Sequence, residues 1–151
     1  MAFWLLKSEP DEFSLQDLQR LGEGRWDGVR NYQARNFLRA MAPDELFFFH
    51  HSSCAEPGIA GIGRIVGDAF ADPTALDPES PYYAPKADAD SNPWTARQVA
   101  FVEAFPRILT LPRLRALPAL ADFALLRKGN RLSVMPVSPE EWAAIVAAAR
   151  R

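Results

Sequence analysis

Three consecutive phenylalanines, Phe47, Phe48 and Phe49, stand within Glu45 to Ser52, and a strand with large apolar groups on both faces has to be covered on both. This segment reads as a buried strand inside a sheet. Pro57 and Gly58 then turn the chain into Ile59 to Phe70, an aliphatic strand interrupted by Gly61, Gly63 and Gly67. Glycines inside a strand mark bulges or tight curvature, so the two segments together predict a small, strongly bent sheet. A chain of 151 residues with 48% hydrophobic content is long enough for one complete core and too short for two ordinary domains. A single domain over residues 1–151 is expected.

The remaining segments supply further strands and the helices that flank them. Ala2 to Lys7 has the length and residue types of a strand, ended by Ser8, Glu9 and Pro10. Ser14 with Asp17 has the form of a helix N-cap, Leu15, Leu18 and Leu21 follow at helical spacing, and Gly22 is a stop signal. After a turn around Trp26, Asp27 and Gly28, a second helix is predicted from about Asn31 to Ala42, with Ala34, Phe37, Leu38 and Met41 as its buried stripe. Pro73, Pro78, Pro81, Pro85 and Pro93 forbid regular structure from Asp72 to Pro93; this long loop holds Tyr82 and Tyr83 and ends beside Trp94. Thr95 to Phe105 reads as a strand, and Thr110 with Pro112 opens a leucine-rich helical stretch that Pro118 breaks, with a further turn from Asp122 to Leu126. Arg131 to Val137 reads as a last strand. Ser138, Pro139, Glu140 and Glu141 form a capping box for a terminal helix whose Trp142, Ile145 and Val146 face inward.

Charge and composition narrow the function classes. Seventeen basic against nineteen acidic side chains give a net charge of −2, so any contact with a polyanion has to be local. Residues 68 to 92 are predominantly acidic and residues 104 to 139 predominantly basic, which leaves one flank suited to phosphate. The lone Cys54 excludes an intrachain disulfide and fits a reducing compartment. The apolar start stops at Lys7, far short of the roughly 18 apolar residues of a membrane span. The expectation is a cytoplasmic protein, a monomer, with no membrane partner.

The stretch from Gly28 to Asn36 concentrates amides, guanidinium groups and a phenol at the opening of the second helix. Asn and Gln offer a donor beside an acceptor, Arg a planar fork of donors, and Tyr a ring with a polar tip, a set suited to the edge and face of a flat heterocycle. Recognition is favoured over chemistry. Trp26, Trp94, Tyr82 and Tyr83 are candidates to stack on a base, whereas Trp4 reads as core. Asn31, Tyr32, Arg35 and Asn36 are candidates for the base edge or an adjacent phosphate; the plainer alternative is that Asn31 caps the helix and the arginines are solvated. Lys7, Ser8 and Glu9 suit a pocket floor, and His51 with Ser52 suits its hydrogen bonds. His50 and His51 are neighbours on a strand and point to opposite faces, so they do not share a metal ion, and no metal or cofactor is expected.

Taken in order, Trp4 to Pro10, Trp26 to Asn36, Asp77 to Tyr83 and Gly129 to Ser133 resemble the EVE family, a branch of the PUA-like superfamily related to ASCH and YTH domains. The resemblance spans nearly the whole chain. It implies an α+β fold, a PUA-like curved β pseudo-barrel flanked by helices, with a pocket between sheet and helix. It also implies non-catalytic binding of a modified nucleobase in DNA or RNA, or of the modified nucleoside, with Ser133 added to the site. The chain departs from the family pattern at His50, where tyrosine is usual, and at Arg97 and Gln98, where Val and Asp are usual, positions that bear on the pocket rim. The competing reading is an enzyme or sensor acting on a nucleotide or small anionic metabolite, with Lys7, Glu9 or His51 moving protons. A third is an interaction module without nucleic acid.

Overall fold

In the computed structural model, which describes residues 1–151, the phenylalanine run forms β3 (Leu46–His51) near the middle of one six-stranded sheet. The sheet also contains β1 (Phe3–Ser8), β2 (Glu23–Trp26), β4 (Gly58–Ala71), β5 (Thr95–Thr110) and β6 (Val134–Val137), in the order β2-β5-β4-β3-β1-β6. β1 and β3 are parallel and the other pairs antiparallel, and the sheet curls without closing. This is the mixed, curved PUA-like architecture.

The alternation along β3 divides the apolar residues between two cores. Phe47 and Phe49 join Trp4, Leu6, Leu15, Leu18 and Leu38 on one face, while Phe48 joins Leu5, Phe123, Met135 and Ile145 on the other. Full burial of each ring contributes about 1.5–3 kcal/mol, which is why this strand cannot lie at the surface. The first core is covered by α1 (Leu15–Leu21) and α2 (Tyr32–Ala40), the second by α3 (Leu111–Arg115), α4 (Pro139–Ala149) and two short 3₁₀ turns. No helix is long and apolar enough to cross a membrane.

Curvature comes from the glycine segment. The β4–β5 register slips between Ile59 and Gly61, between Ile62 and Gly63, and between Val66 and Phe70. At Gly63 a Cβ would collide with the Phe47 ring, so the glycine is what lets that phenylalanine lie flat on the sheet. The first slip also explains the length of β5, which continues through Pro106 to Thr110 instead of ending at Phe105. Ile59 faces Leu109 and Gly61 faces Ala104, so Pro106 falls in the unpaired bulge and owes the ladder no N–H.

Local signals place the helix starts. In α1 the Ser14 hydroxyl accepts the Asp17 N–H at 3.0 Å and the Asp17 carboxylate accepts the Ser14 N–H at 2.9 Å. Ser138 and Glu141 make the same reciprocal pair at α4, whose Trp142 stacks on Phe48 at 3.9 Å. Several boundaries differ from the sequence reading. α2 ends at Ala40, β6 begins at Val134, and the turn expected near Asp122 is a 3₁₀ turn over Ala124–Leu126. Thr110 precedes α3 without a side-chain hydrogen bond to it. From the sequence no strand is expected at β2, of which only Trp26 falls in the expected turn; the segment is too short to alternate, and only its pairing with β5, Trp26 opposite Arg97, makes it a strand.

Candidate functional site

The parallel strands β1 and β3 end together, Ser8 opposite His51, and the Ser52 N–H donates to the Ser8 carbonyl at 3.0 Å. Beside them the Lys7 N–H donates to the Ser133 carbonyl at 2.8 Å, which brings the segment before β6 to the same end of the sheet. β2 finishes there too, and the turn from Asp27 to Arg30 leads into α2. These ends surround an open cavity of about 810 Å³. It is a polar cavity: only four of its 18 lining residues are hydrophobic, and both signs of charge are present.

Of the residues expected at the site, Lys7, Ser8, Glu9, Trp26, Asn31, Ser52, Tyr82 and Ser133 line this cavity. Asn31 caps α2 by accepting the Ala34 N–H at 2.9 Å with its carbonyl oxygen, which leaves its amide N–H₂ for a guest. Lys7 is half-buried and forms no ion pair; burial holds its ammonium below the usual lysine range. The Tyr82 hydroxyl donates to the Glu12 carboxylate at 2.5 Å, and burial together with that carboxylate pushes the phenol up to about 12. Trp26 is 4% exposed, edge-on to Phe47 at 5.8 Å and to Phe49 at 5.1 Å. The indole therefore belongs to the core and backs the cavity wall, a placement that corrects the expectation of a free stacking platform.

The other expected residues lie elsewhere. Tyr32 and Trp94 stack on one another at 4.8 Å and line a neighbouring cavity. Arg35 donates to the Pro93 carbonyl at 3.1 Å and to Asn36, so neither side chain reaches the first cavity. His51 is buried, and its Nε2 accepts the Leu15 N–H at 3.1 Å, satisfying a free donor at the start of α1. Tyr83 is exposed and lines neither cavity.

The three departures from the family pattern also lie off the rim. Gln98, opposite Arg25, donates to the Glu23 carboxylate across the β2–β5 pair at 3.3 Å. Arg97 is 1% exposed and donates to the carbonyls of Leu38 at 2.8 Å, Met41 at 2.6 Å and Gly67 at 2.7 Å, tying the C-terminal end of α2 to the β4 bulge. His50 is buried with both ring nitrogens unpartnered, and burial, with Lys7 and His51 nearby, pushes it down to about 4.

Sequence reasoning missed the residues that assemble the pocket. Arg30 donates to the Tyr82 carbonyl at 2.7 and 3.1 Å, to Asp72 at 2.9 Å and to Thr74 at 3.0 Å. Asp72, fully buried, also accepts the Gly28 N–H at 2.8 Å. Burial alone would raise its pKa, but the hydrogen bonds from Thr74, Gly28 and Arg30 prevail and keep the carboxylate low. Gly28 sits at φ +78, and a Cβ there would lie 2.9 Å from the Tyr82 ring. Arg30 belongs to a block already singled out for its polar groups, so it was findable; Asp72, at the start of a distant loop, carried no local signal.

Comparison with known proteins agrees with this architecture. Human thymocyte nuclear protein 1 is 39% identical over 160 residues, covering 93% of this chain and 71% of its own length. A Pseudomonas syringae protein of solved structure superposes with a TM-score of 0.96 at 61% identity, over 98% of this chain and 99% of its own. The crystal structure of human THYN1 in complex with 5-methylcytosine-containing DNA gives 0.94 at 36% identity, over 100% and 99%. An ASCH protein from Zymomonas mobilis, 8% identical with a TM-score of 0.51, shares the fold alone. The EVE domain model matches residues 2–148, and this chain belongs to the EVE domain family.

Proposed function

We propose that this chain binds one modified base of DNA, of the 5-methylcytosine type, in the cavity at the start of α2, and releases it unchanged. The observation that carries the reading is the human relative, which has the same architecture over the full length of this chain and is seen in complex with 5-methylcytosine-containing DNA. The cavity supports it. Its volume accommodates a nucleoside, the Asn31 amide and the hydroxyls of Ser8, Ser52 and Ser133 offer edge contacts, and Lys7 and Arg131 are cations outside every ion pair.

A methyl group adds only about 0.8 kcal/mol of apolar burial. Discrimination against unmethylated cytosine, whose hydrogen-bonding edge is the same, therefore rests on cavity shape, whereas the other bases leave polar groups unpaired at about 1–3 kcal/mol each. A duplex base has to leave the stack to enter such a cavity.

The test is a titration of the protein with 5-methyldeoxycytidine, deoxycytidine and single-stranded DNA or RNA carrying either base, followed by tryptophan fluorescence, with recovered ligand checked by mass spectrometry. Saturable quenching that favours the methylated form in DNA, with the ligand intact, is expected. Equal affinity for both bases, or a product of altered mass, overturns the reading.

A further inference from the structure

Beside the first cavity lies a second one of about 460 Å³, lined by Tyr32, Trp94, Pro85, Pro93, Lys86 and Ser91 among others. Its character is different, with an aromatic pair, two prolines and no carboxylate in its lining. Tyr32 is 58% exposed, an unusual position for a ring that is already stacked at 4.8 Å on an indole. The pair is held in place from α2. Arg35 and Arg39 both donate to the Pro93 carbonyl, at 3.1 and 2.9 Å, Arg39 also reaches the Thr95 hydroxyl at 2.8 Å, and Asn92 accepts the Trp94 N–H at 3.0 Å. A ring pair fixed in this way offers contact area with little ordering cost on binding.

Two further features select the guest. The first is continuity: Asn31 lines one cavity and Tyr32, the next residue, lines the other. The Arg30 guanidinium, which lines the first, lies 5.4 Å from the Trp94 ring centroid. The two linings are thus adjacent in sequence and in space. The second is charge. Arg35 sits 4.8 Å over the Tyr32 ring, while Lys86 lines the cleft itself. The nearby acids Asp88 and Asp90 do not line it, and the Asp88 carboxylate accepts the Asp90 N–H at 2.9 Å. An aromatic cleft edged by cations, adjoining a nucleoside-sized pocket, matches a base and its phosphate.

We infer that the Tyr32–Trp94 cleft is a second subsite, which takes the unmodified nucleobase next to the one held in the first cavity, with Arg35 and Lys86 facing the linking phosphates. This rests on the base-binding reading of the first cavity. The second base is held by its faces and not read by its edge, so the subsite raises affinity for a strand over a nucleoside while tolerating any flanking base.

The test compares binding of the full chain to a DNA trinucleotide with central 5-methylcytosine against two versions in which one flanking nucleotide is abasic. Removing the base on one side lowers affinity roughly tenfold in the wild type. In Tyr32→Ala, and separately in Trp94→Leu, the ratio between intact and abasic strands falls to about one. Tyr32 is exposed, so its truncation leaves the core intact even where the Trp94 change perturbs the loop. A wild-type ratio of one, with free 5-methyldeoxycytidine still binding saturably, overturns the second subsite alone. Absence of binding by nucleoside and trinucleotide alike overturns the first reading and this one with it. A proline-rich peptide that occupies the cleft while the ratio stays at one assigns it to a peptide partner and also overturns the inference.

Discussion

The Asp72 carboxylate lies 2.9 Å from the Arg30 guanidinium across 42 positions of sequence, and through this contact the proline-rich loop is attached to the start of α2. Arg30 uses both edges of its fork, one toward Asp72 and the other toward the Tyr82 carbonyl. Asp72→Asn keeps the shape and removes the counter-charge. It is expected to cost about 3 kcal/mol in urea unfolding, as for other buried pairs broken on one side. Arg30→Lys, which lacks the planar fork, is expected to lower nucleoside affinity as well, because Tyr82 is no longer held against the cavity. Stability loss in both variants with nucleoside affinity unchanged would show that the loop does not shape the pocket.

Gly28→Ala tests the contact between the turn and the Tyr82 ring. The left-handed backbone costs a side chain about 1–2 kcal/mol, and the Cβ also meets the ring at 2.9 Å. The expected outcome is a loss of stability of that size together with weaker binding of 5-methyldeoxycytidine. Gly22→Ala, at a similar φ of +81 but with nothing within 4 Å of its Cβ, is the control: comparable destabilisation with binding retained.

His50 gives the protein a defined acid sensitivity. The unfolded chain takes up a proton on this imidazole near pH 6.5, whereas the folded protein refuses it until about 4. Stability is therefore complete above pH 6.5 and falls with the pH across that interval, by roughly 3 kcal/mol. His50→Phe removes two unpartnered ring nitrogens and is expected to be neutral or stabilising at pH 7, with a flatter profile between pH 6.5 and 4. Denaturant midpoints at pH 7, 5.5 and 4.5 check this; an unchanged slope in the variant would assign the sensitivity to other groups.

Arg97→Met separates framework from pocket. Three carbonyls lose their donor, so stability should fall by about 2 kcal/mol or more, while nucleoside affinity measured well below the melting temperature stays at the wild-type value. A drop in affinity of the folded variant would tie the far end of α2 to binding.

Much of the scaffold was legible because its determinants are short-range. Ser14 with Asp17 and Ser138 with Glu141 announce helix starts from within four residues. The phenylalanine run requires two covered faces, and the β4 glycines mark where the register slips. The site was legible only in part. Lys7, Ser8, Ser52 and Ser133 are strand-end polar residues, and a topology that collects those ends collects them too. Trp26 misled because a tryptophan beside a glycine turn looks exposed, and only the β2–β5 pairing turns it into the core.

The sequence by itself determined the helices, the doubly covered strand, the curvature and the family, since each depends on residue types at fixed local spacing. Tertiary structure alone decided which aromatic and polar groups share a cavity. Asp72, Arg30 and Tyr82 meet only after the loop has folded back, and the Tyr32–Trp94 pair lines a cavity of its own. Contacts between residues more than 40 positions apart depend on the path of the whole chain, and no local pattern encodes that path.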